Sequence, residues 1–297
     1  MATRRSADTA EASATPSGSR PAPVLRQAKP RRWLAAGGLS LLALSVTGCS
    51  EQTRSDWSRG GLPQGATKES ASIQNLWNGS WIAALAVGLL VWGLIFWVIV
   101  AYRRRQGDGL PAQTKYNLPI EVLYTLAPLI MVIGLFVPVA KDQAALTELT
   151  PNYTNSVNVV GFRWSWGFNY LDEKVYDVGT PDTKPTLWLP VNELTRFKLT
   201  SPDVIHSFWV PTFLFKMDVI PGRLNQFQVT PNRTGTFIGE CAELCGVDHS
   251  RMTFSVKVVT RDEYQAHIQE LRAKGQTGLL DPGRVSIKTN VRTGGIA

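Results

Sequence analysis

Cysteine, histidine and charge are all scarce in this chain. Its 297 residues include three Cys and three His. Charged residues make up 18%, where a soluble globular protein carries about 25%. So few cysteines exclude a disulfide-stapled scaffold. All three histidines lie at or beyond His206, so the apolar segments upstream have no imidazole with which to bind a haem inside a membrane. The shortage of charge points to buried or lipid-facing stretches. The formal net charge of +8 at first suggests nucleic acid, but the first 48 residues supply +5 of it and residues 141–262 sum to -1. No basic face follows, and nucleic acid is excluded as a partner.

What is present divides the chain clearly. Residues 1–48 read as a signal peptide, with a basic stretch ending in Lys29-Pro30-Arg31-Arg32 before an apolar run, Trp33 to Thr47, too short to span a bilayer. Val46-Thr47-Gly48-Cys49 resembles a bacterial lipobox, which makes Cys49 the lipidated first residue of the mature chain; an incidental cysteine after an ordinary signal is the alternative. Residues 49–76 are polar and read as an extracytoplasmic linker. A transmembrane hairpin is expected over 77–142, with helices at about 81–102 and 118–139. Arg103-Arg104-Arg105 ends the first helix, and the positive-inside rule places that loop in the cytoplasm. The N-terminus and everything after residue 140 then lie outside, in a multi-pass protein of the cell membrane. Glu121 falls in the first turn of the second helix. An ionisable residue there is either a functional group or a carboxylate held at the interface and favoured by the helix N-terminus.

From about 150 to 260 the pattern becomes short β-type runs separated by turn clusters such as Thr180-Pro181-Asp182 and Ile220-Pro221-Gly222-Arg223. Seven or more such strands argue for an antiparallel sandwich or barrel. Thr260-Arg261-Asp262-Glu263 predicts a capping box opening a short helix with Tyr264, Ile268 and Leu271 on one face, and His267 is expected to be solvated. The remainder of 261–297 is a tail.

The chemistry concentrates in Cys241-Ala-Glu243-Leu-Cys245-Gly-Val-Asp-His249-Ser-Arg-Met252, with a second imidazole at His206. Two thiolates, two imidazoles and a thioether are soft or borderline donors suited to copper. One cysteine would make a mononuclear blue-copper site, whereas two on one loop can bridge two coppers, each completed by a histidine and a weak axial ligand. Met252 can supply one axial donor, and a backbone carbonyl between the cysteines, such as that of Glu243, the other. A Cys2His2 zinc site or a Cys241–Cys245 disulfide are the alternatives.

These motifs, with Asp203-Val-Ile-His206-Ser-Phe-Trp, Lys216-Met-Asp218-Val-Ile-Pro-Gly-Arg223 and Glu121-Val-Leu-Tyr-Thr-Leu-Ala-Pro128, resemble subunit II of haem-copper cytochrome c oxidases over about residues 75–260. The leader and lipobox look like Gram-positive, actinobacterial versions. The resemblance implies a membrane-anchored all-β protein: a two-helix transmembrane hairpin followed by a cupredoxin-like Greek-key β-barrel domain at about 150–260. It implies a dinuclear CuA centre held by His206, Cys241, Cys245, His249, Met252 and the Glu243 carbonyl, with the Glu243 side chain reaching a Mg or Mn ion at the subunit I interface. Trp164, in Gly161-Phe-Arg-Trp164-Ser-Trp166, would receive the electron from a c-type cytochrome, and Glu121 would open a proton channel. Tyr124 stands where many members have Trp. The implied partners are oxidase subunits I and III, membrane lipid and the cytochrome donor, with a supercomplex containing a cytochrome bc complex as one arrangement. Of the rivals, a quinol oxidase subunit would lack the copper ligands, a nitrous oxide reductase needs a large His-rich propeller, and a copper-carrier lipoprotein leaves the hairpin and Glu121 unexplained.

Overall fold

The computed structural model describes residues 51–104, 109 and 113–281. The leader, Cys49, Arg105 and the tail from 282 lie outside the described residues. A short helix α1 (Glu51–Ser58) comes first, followed by two long helices, α2 (Ser70–Ala101) and α3 (Leu118–Thr147). At 1.5 Å per residue the two span about 48 and 45 Å, and both are long and apolar enough to cross a membrane.

The segment expected as a flexible linker is ordered from Glu51 onward. Backbone pairing accounts for this: Ala66 N–H donates to Thr212 O at 2.8 Å, Lys68 N–H to Thr230 O at 2.9 Å, and Asn232 N–H to Ala66 O at 3.0 Å. Ala66 and Thr67 are buried as a result. Helix α2 starts at Ser70 rather than near Trp81, because Thr67 Oγ1 accepts from Ser70 N–H and the Glu69 carboxylate accepts from Thr230 N–H. The polar first turns of α2 are thus tied to the β domain. Helix α3 opens at Asn117, whose side chain accepts from Ile120 N–H, and runs past Pro128 and Pro138 to Thr147.

Among the described residues ten strands follow in two five-stranded sheets, ordered β3-β2-β1-β5-β8 and β4-β10-β9-β6-β7. In the first sheet lie β1 (Asn155–Phe162), β2 (Ser165–Tyr170), β3 (Val175–Val178), β5 (Thr195–Thr200) and β8 (Asn225–Val229). The second holds β4 (Thr186–Pro190), β6 (His206–Val210), β7 (Phe215–Val219), β9 (Gly235–Cys241) and β10 (Thr253–Val259). The expected sandwich is present, but two neighbouring pairs, β1 with β5 and β4 with β10, run parallel. Crossing of the chain between sheets produces this, and alternation of apolar residues carries no trace of it. Alternate residues face inward, as in β5, where Thr195, Phe197 and Leu199 are buried. The inner faces interlock through aromatic rings: Phe197 stacks on Phe227 with centroids 4.9 Å apart, and Phe208 on Phe254 at 5.0 Å. Each such side chain contributes about 1.5–3 kcal/mol by leaving water.

Helix α4 (Arg261–Ala273) opens with the expected capping box and buries Tyr264, Ile268 and Leu271. His267 is buried beside them rather than solvated, stacked on Trp188 at 4.2 Å and 11°. It stands three residues after Tyr264 and four before Leu271, on the same helical face.

Candidate metal centre

Strand pairing assembles the site. His206 opens β6, Cys241 closes β9, and these strands pair with Phe208 opposite Cys241. The connection from β9 to β10 then supplies Cys245, His249 at a 3-10 turn (His249–Arg251), and Met252. The connection therefore brings three of the five sequence-expected side chains, the end of β9 the fourth, and the neighbouring strand β6 the fifth.

The donor atoms converge. Those of His206, Cys241 and Cys245 all lie within 4.8 Å of one another. Cys241 Sγ stands 3.9 Å from Cys245 Sγ, 3.9 Å from His206 Nδ1 and 3.3 Å from the Glu243 carbonyl oxygen. Cys245 Sγ stands 3.6 Å from both His249 Nδ1 and Met252 Sδ. His206 and Met252 are fully buried and both cysteines nearly so. The cysteines are free thiols, too far apart for an S–S bond. A fifth soft donor, buried Met252, has no place in a four-coordinate Cys2His2 zinc site. The two sulfurs, two ring nitrogens and thioether are soft or borderline donors, and with the carbonyl the set fits copper.

The surroundings prepare these donors. The two thiols titrate as a pair. The Cys245 thiol hydrogen bond pulls Cys241 down strongly against the opposing effect of burial, and His206 and the Ser207 and Glu243 backbone assist. The remaining proton on Cys245 is held far above the usual thiol range by the Cys241 thiolate and by burial. The first proton of the pair is thus released more readily than that of an ordinary thiol, and the second less readily. Asp203 Oδ1 lies 2.9 Å from His206 Nε2, which leaves Nδ1 facing the sulfurs. Burial opposes the Asp203 charge, yet bonds from His206 and the Arg163 and Val204 N–H groups hold its carboxyl down at about 2. Burial likewise lowers His206, but the bonds to Asp203 and Cys241 outweigh it and raise the imidazole overall.

Two tryptophans border the loop. Trp164 is half-buried; its Nε1–H donates to Cys245 O at 3.2 Å, and its ring covers Gly246, where a Cβ would come within 3.0 Å of the indole. Trp166 is fully buried, and its Nε1–H donates to Met252 O at 3.2 Å. The Glu243 side chain is exposed, between Cys241 and the strongly exposed Leu244. Glu121 is not part of this cluster. It sits in the first turn of α3, where its Oε1 accepts from Asn117 N–H, while the β domain follows the other end of that helix. Sequence reasoning missed Asp203 as the partner of His206. The signal was the Ser201-Pro-Asp203 turn three residues ahead, a sequence that favours Asx-type bonds. It also gave Trp166 no role.

The chain is similar to known proteins over most of its length. Residues 55–141 match the family described as the transmembrane domain of cytochrome c oxidase subunit II, and residues 181–259 match its periplasmic domain. A probable cytochrome c oxidase subunit 2 of Streptomyces avermitilis is 48% identical, over 91% of this chain and 95% of that protein. Cytochrome c oxidase subunit 2 of Mycobacterium tuberculosis is 33% identical over 83% of each. The crystal structure of the periplasmic domain of oxidase subunit II from Bradyrhizobium japonicum is 32% identical, covering 42% of this chain and 99% of that one, with a TM-score of 0.40.

Proposed function

The chain belongs to the cytochrome c oxidase subunit II family, and from that membership we propose that it is the subunit through which electrons from a c-type cytochrome reach the haem of subunit I. The observation that carries this reading is the run of close approaches that joins His206 Nδ1 and the Glu243 carbonyl to Cys241 Sγ, Cys241 Sγ to Cys245 Sγ, and Cys245 Sγ to His249 Nδ1 and Met252 Sδ. When bound there, a dinuclear copper centre supplies one-electron storage with little change of geometry. His206, Cys241, Cys245, His249, Met252 and the Glu243 carbonyl would hold it.

The chain's own residues do the remaining work. Asp203 orients His206, as a carboxylate behind a metal-bound imidazole does. Trp164 lies between solvent and the Cys245 carbonyl, which suits a ring that receives the electron and passes it inward. Leu244 and Val247, 79% and 87% exposed, flank Cys245 and offer the donor an apolar contact. The exposed Glu243 carboxylate is available to a Mg or Mn ion at the subunit I interface. Glu121 takes up protons at the cytoplasmic end of α3 for a channel continuing in subunit I, where oxygen is reduced.

The arginines from Arg103 onward orient the hairpin in the cell membrane, with Cys49 lipidated outside. Subunits I and III are the neighbours, with a cytochrome bc complex as the wider assembly. Copper loading of the detergent-solubilised full chain tests the central reading. Two coppers per chain sharing one unpaired electron in the EPR spectrum are expected. A mononuclear copper spectrum, or a preference for one zinc, would overturn it.

A further inference from the structure

We propose that Trp166 is a positioning residue that sets three of the metal donors at once, in addition to filling the core. It does so at two points. Its indole N–H donates to the Met252 carbonyl at 3.2 Å, and the same carbonyl accepts from Cys241 N–H at 3.1 Å. One oxygen atom therefore links the backbones of two ligands, and Trp166 fixes where that oxygen stands. The ring itself lies against a third ligand, with its centroid 6.2 Å from the His206 imidazole.

Room for that contact comes from Gly161, which faces Trp166 across the β1–β2 pairing. A Cβ there would fall 3.1 Å from Trp166 Cζ3 and 3.3 Å from His206 Cδ2, between the two rings. Trp166 in turn cannot tilt freely, because Phe254 and Phe208 meet it edge-on at 5.3 and 5.9 Å. The indole therefore transmits the packing of the core to the metal loop. This inference rests on the copper reading above, and its test separates the two.

The test uses the full chain in detergent, with thermal unfolding of the copper-free form, copper affinity against a competing chelator, and the EPR spectrum as readouts. Trp166→Phe keeps an aromatic ring and removes the N–H. Gly161→Ala keeps the N–H and pushes the two rings apart. Phe168→Leu removes a core ring from the same face of β2 that has no bond to the loop, and serves as the control for simple destabilisation. Loss of an outer partner of a metal ligand lowers affinity by roughly 10- to 100-fold. That loss is expected in both Trp166→Phe and Gly161→Ala, with altered copper hyperfine splitting, while Phe168→Leu lowers the unfolding temperature and leaves affinity and spectrum unchanged. If Trp166→Phe does not load, Gly161→Ala decides. Unchanged affinity and spectrum in Gly161→Ala, or a loss in Phe168→Leu matching that in Trp166→Phe, would overturn the inference. Failure of the wild-type chain to bind paired copper would instead sink the copper reading itself.

Discussion

Replacing Asp203 with Asn should weaken both the fold and the metal site, by amounts that follow from its bonds. Oδ1 accepts from Val204 N–H at 2.6 Å, His206 Nε2 at 2.9 Å and Ser201 Oγ at 3.2 Å, while Oδ2 accepts from Arg163 N–H at 2.8 Å. An amide has one oxygen, so its NH2 must take one of these two places. Placed at Oδ1 it would face three donors, and placed at Oδ2 it faces the Arg163 N–H and, at 3.5 Å, the Arg163 Nε; the second arrangement wins. Arg163 N–H then loses its acceptor, which costs about 1–3 kcal/mol, and the three surviving bonds lose their charge assistance, worth up to ~1 kcal/mol each. Because these bonds share one carboxylate, the losses do not add fully, and a net destabilisation of about 2–4 kcal/mol is expected. Weaker orientation of His206 should lower copper affinity by roughly tenfold or more. Denaturant unfolding of the copper-free chain, followed by tryptophan fluorescence, measures the first effect, and chelator competition measures the second. A variant within about 0.5 kcal/mol of wild type, the range of an ordinary surface substitution, and with unchanged copper affinity would refute the argument.

Glu121→Ala should slow proton-coupled turnover of the assembled oxidase while leaving the rate of electron acceptance from the cytochrome unchanged; undiminished steady-state activity would count against the channel role. His267 is held below its ordinary value of 6.5 by burial, although Glu270 and Asp177 pull the other way and Lys274 assists. The unfolded chain therefore binds more protons than the folded one just below that pH, so this contribution is complete above 6.5 and is lost as pH falls through the lowered folded value. Because the raised His206 acts in the opposite sense over the same range, the decline should be read as a difference: between about pH 7.5 and 5 the unfolding temperature of wild type should fall relative to that of His267→Gln. Tyr170→Phe removes the buried oxygen that accepts from Trp188 N–H at 2.9 Å. Leaving that donor unpaired should destabilise the domain by about 1–3 kcal/mol, with the copper spectrum intact; a neutral result would mean that Trp188 N–H finds another acceptor.

The metal loop was legible because spacing alone places four donors on the end of one strand and the short connection that follows it, and side-chain chemistry then restricts the metal. His206 was legible only through its motif, since its approach to Cys241 depends on the pairing of β6 with β9. What stayed hidden was made by the backbone. Ala66 and Lys68 dock through N–H and C=O groups onto residues far along the chain, and no side-chain pattern announces such a bond. The parallel pairs are hidden for a related reason, because inward and outward alternation looks the same in either strand direction. His267 was within reach, as it completes the helical face of Tyr264 and Leu271, but its imidazole was read as polar without asking what ring it could stack on. Trp166 was given no role. It is a core aromatic, and its second role depends on where a single N–H points.

The same division explains how the site can be both local in sequence and rigid in space. A loop of twelve residues has many conformations, and freezing each residue costs about 1–2 kcal/mol. The sulfurs and nitrogens alone give no reason for one of those conformations to persist in the metal-free chain. Here the loop is held by groups outside it: Trp164 on the Cys245 carbonyl, Trp166 on the Met252 carbonyl, and Ser207 O accepting from Ala242 N–H. All three come from strands or turns of the sandwich core, whose geometry the aromatic packing fixes. The ligand set is therefore preorganised by the sheets, and the loop needs only to carry the right donors at the right spacing. That is why the motif alone identifies the chemistry while the fold around it sets the geometry.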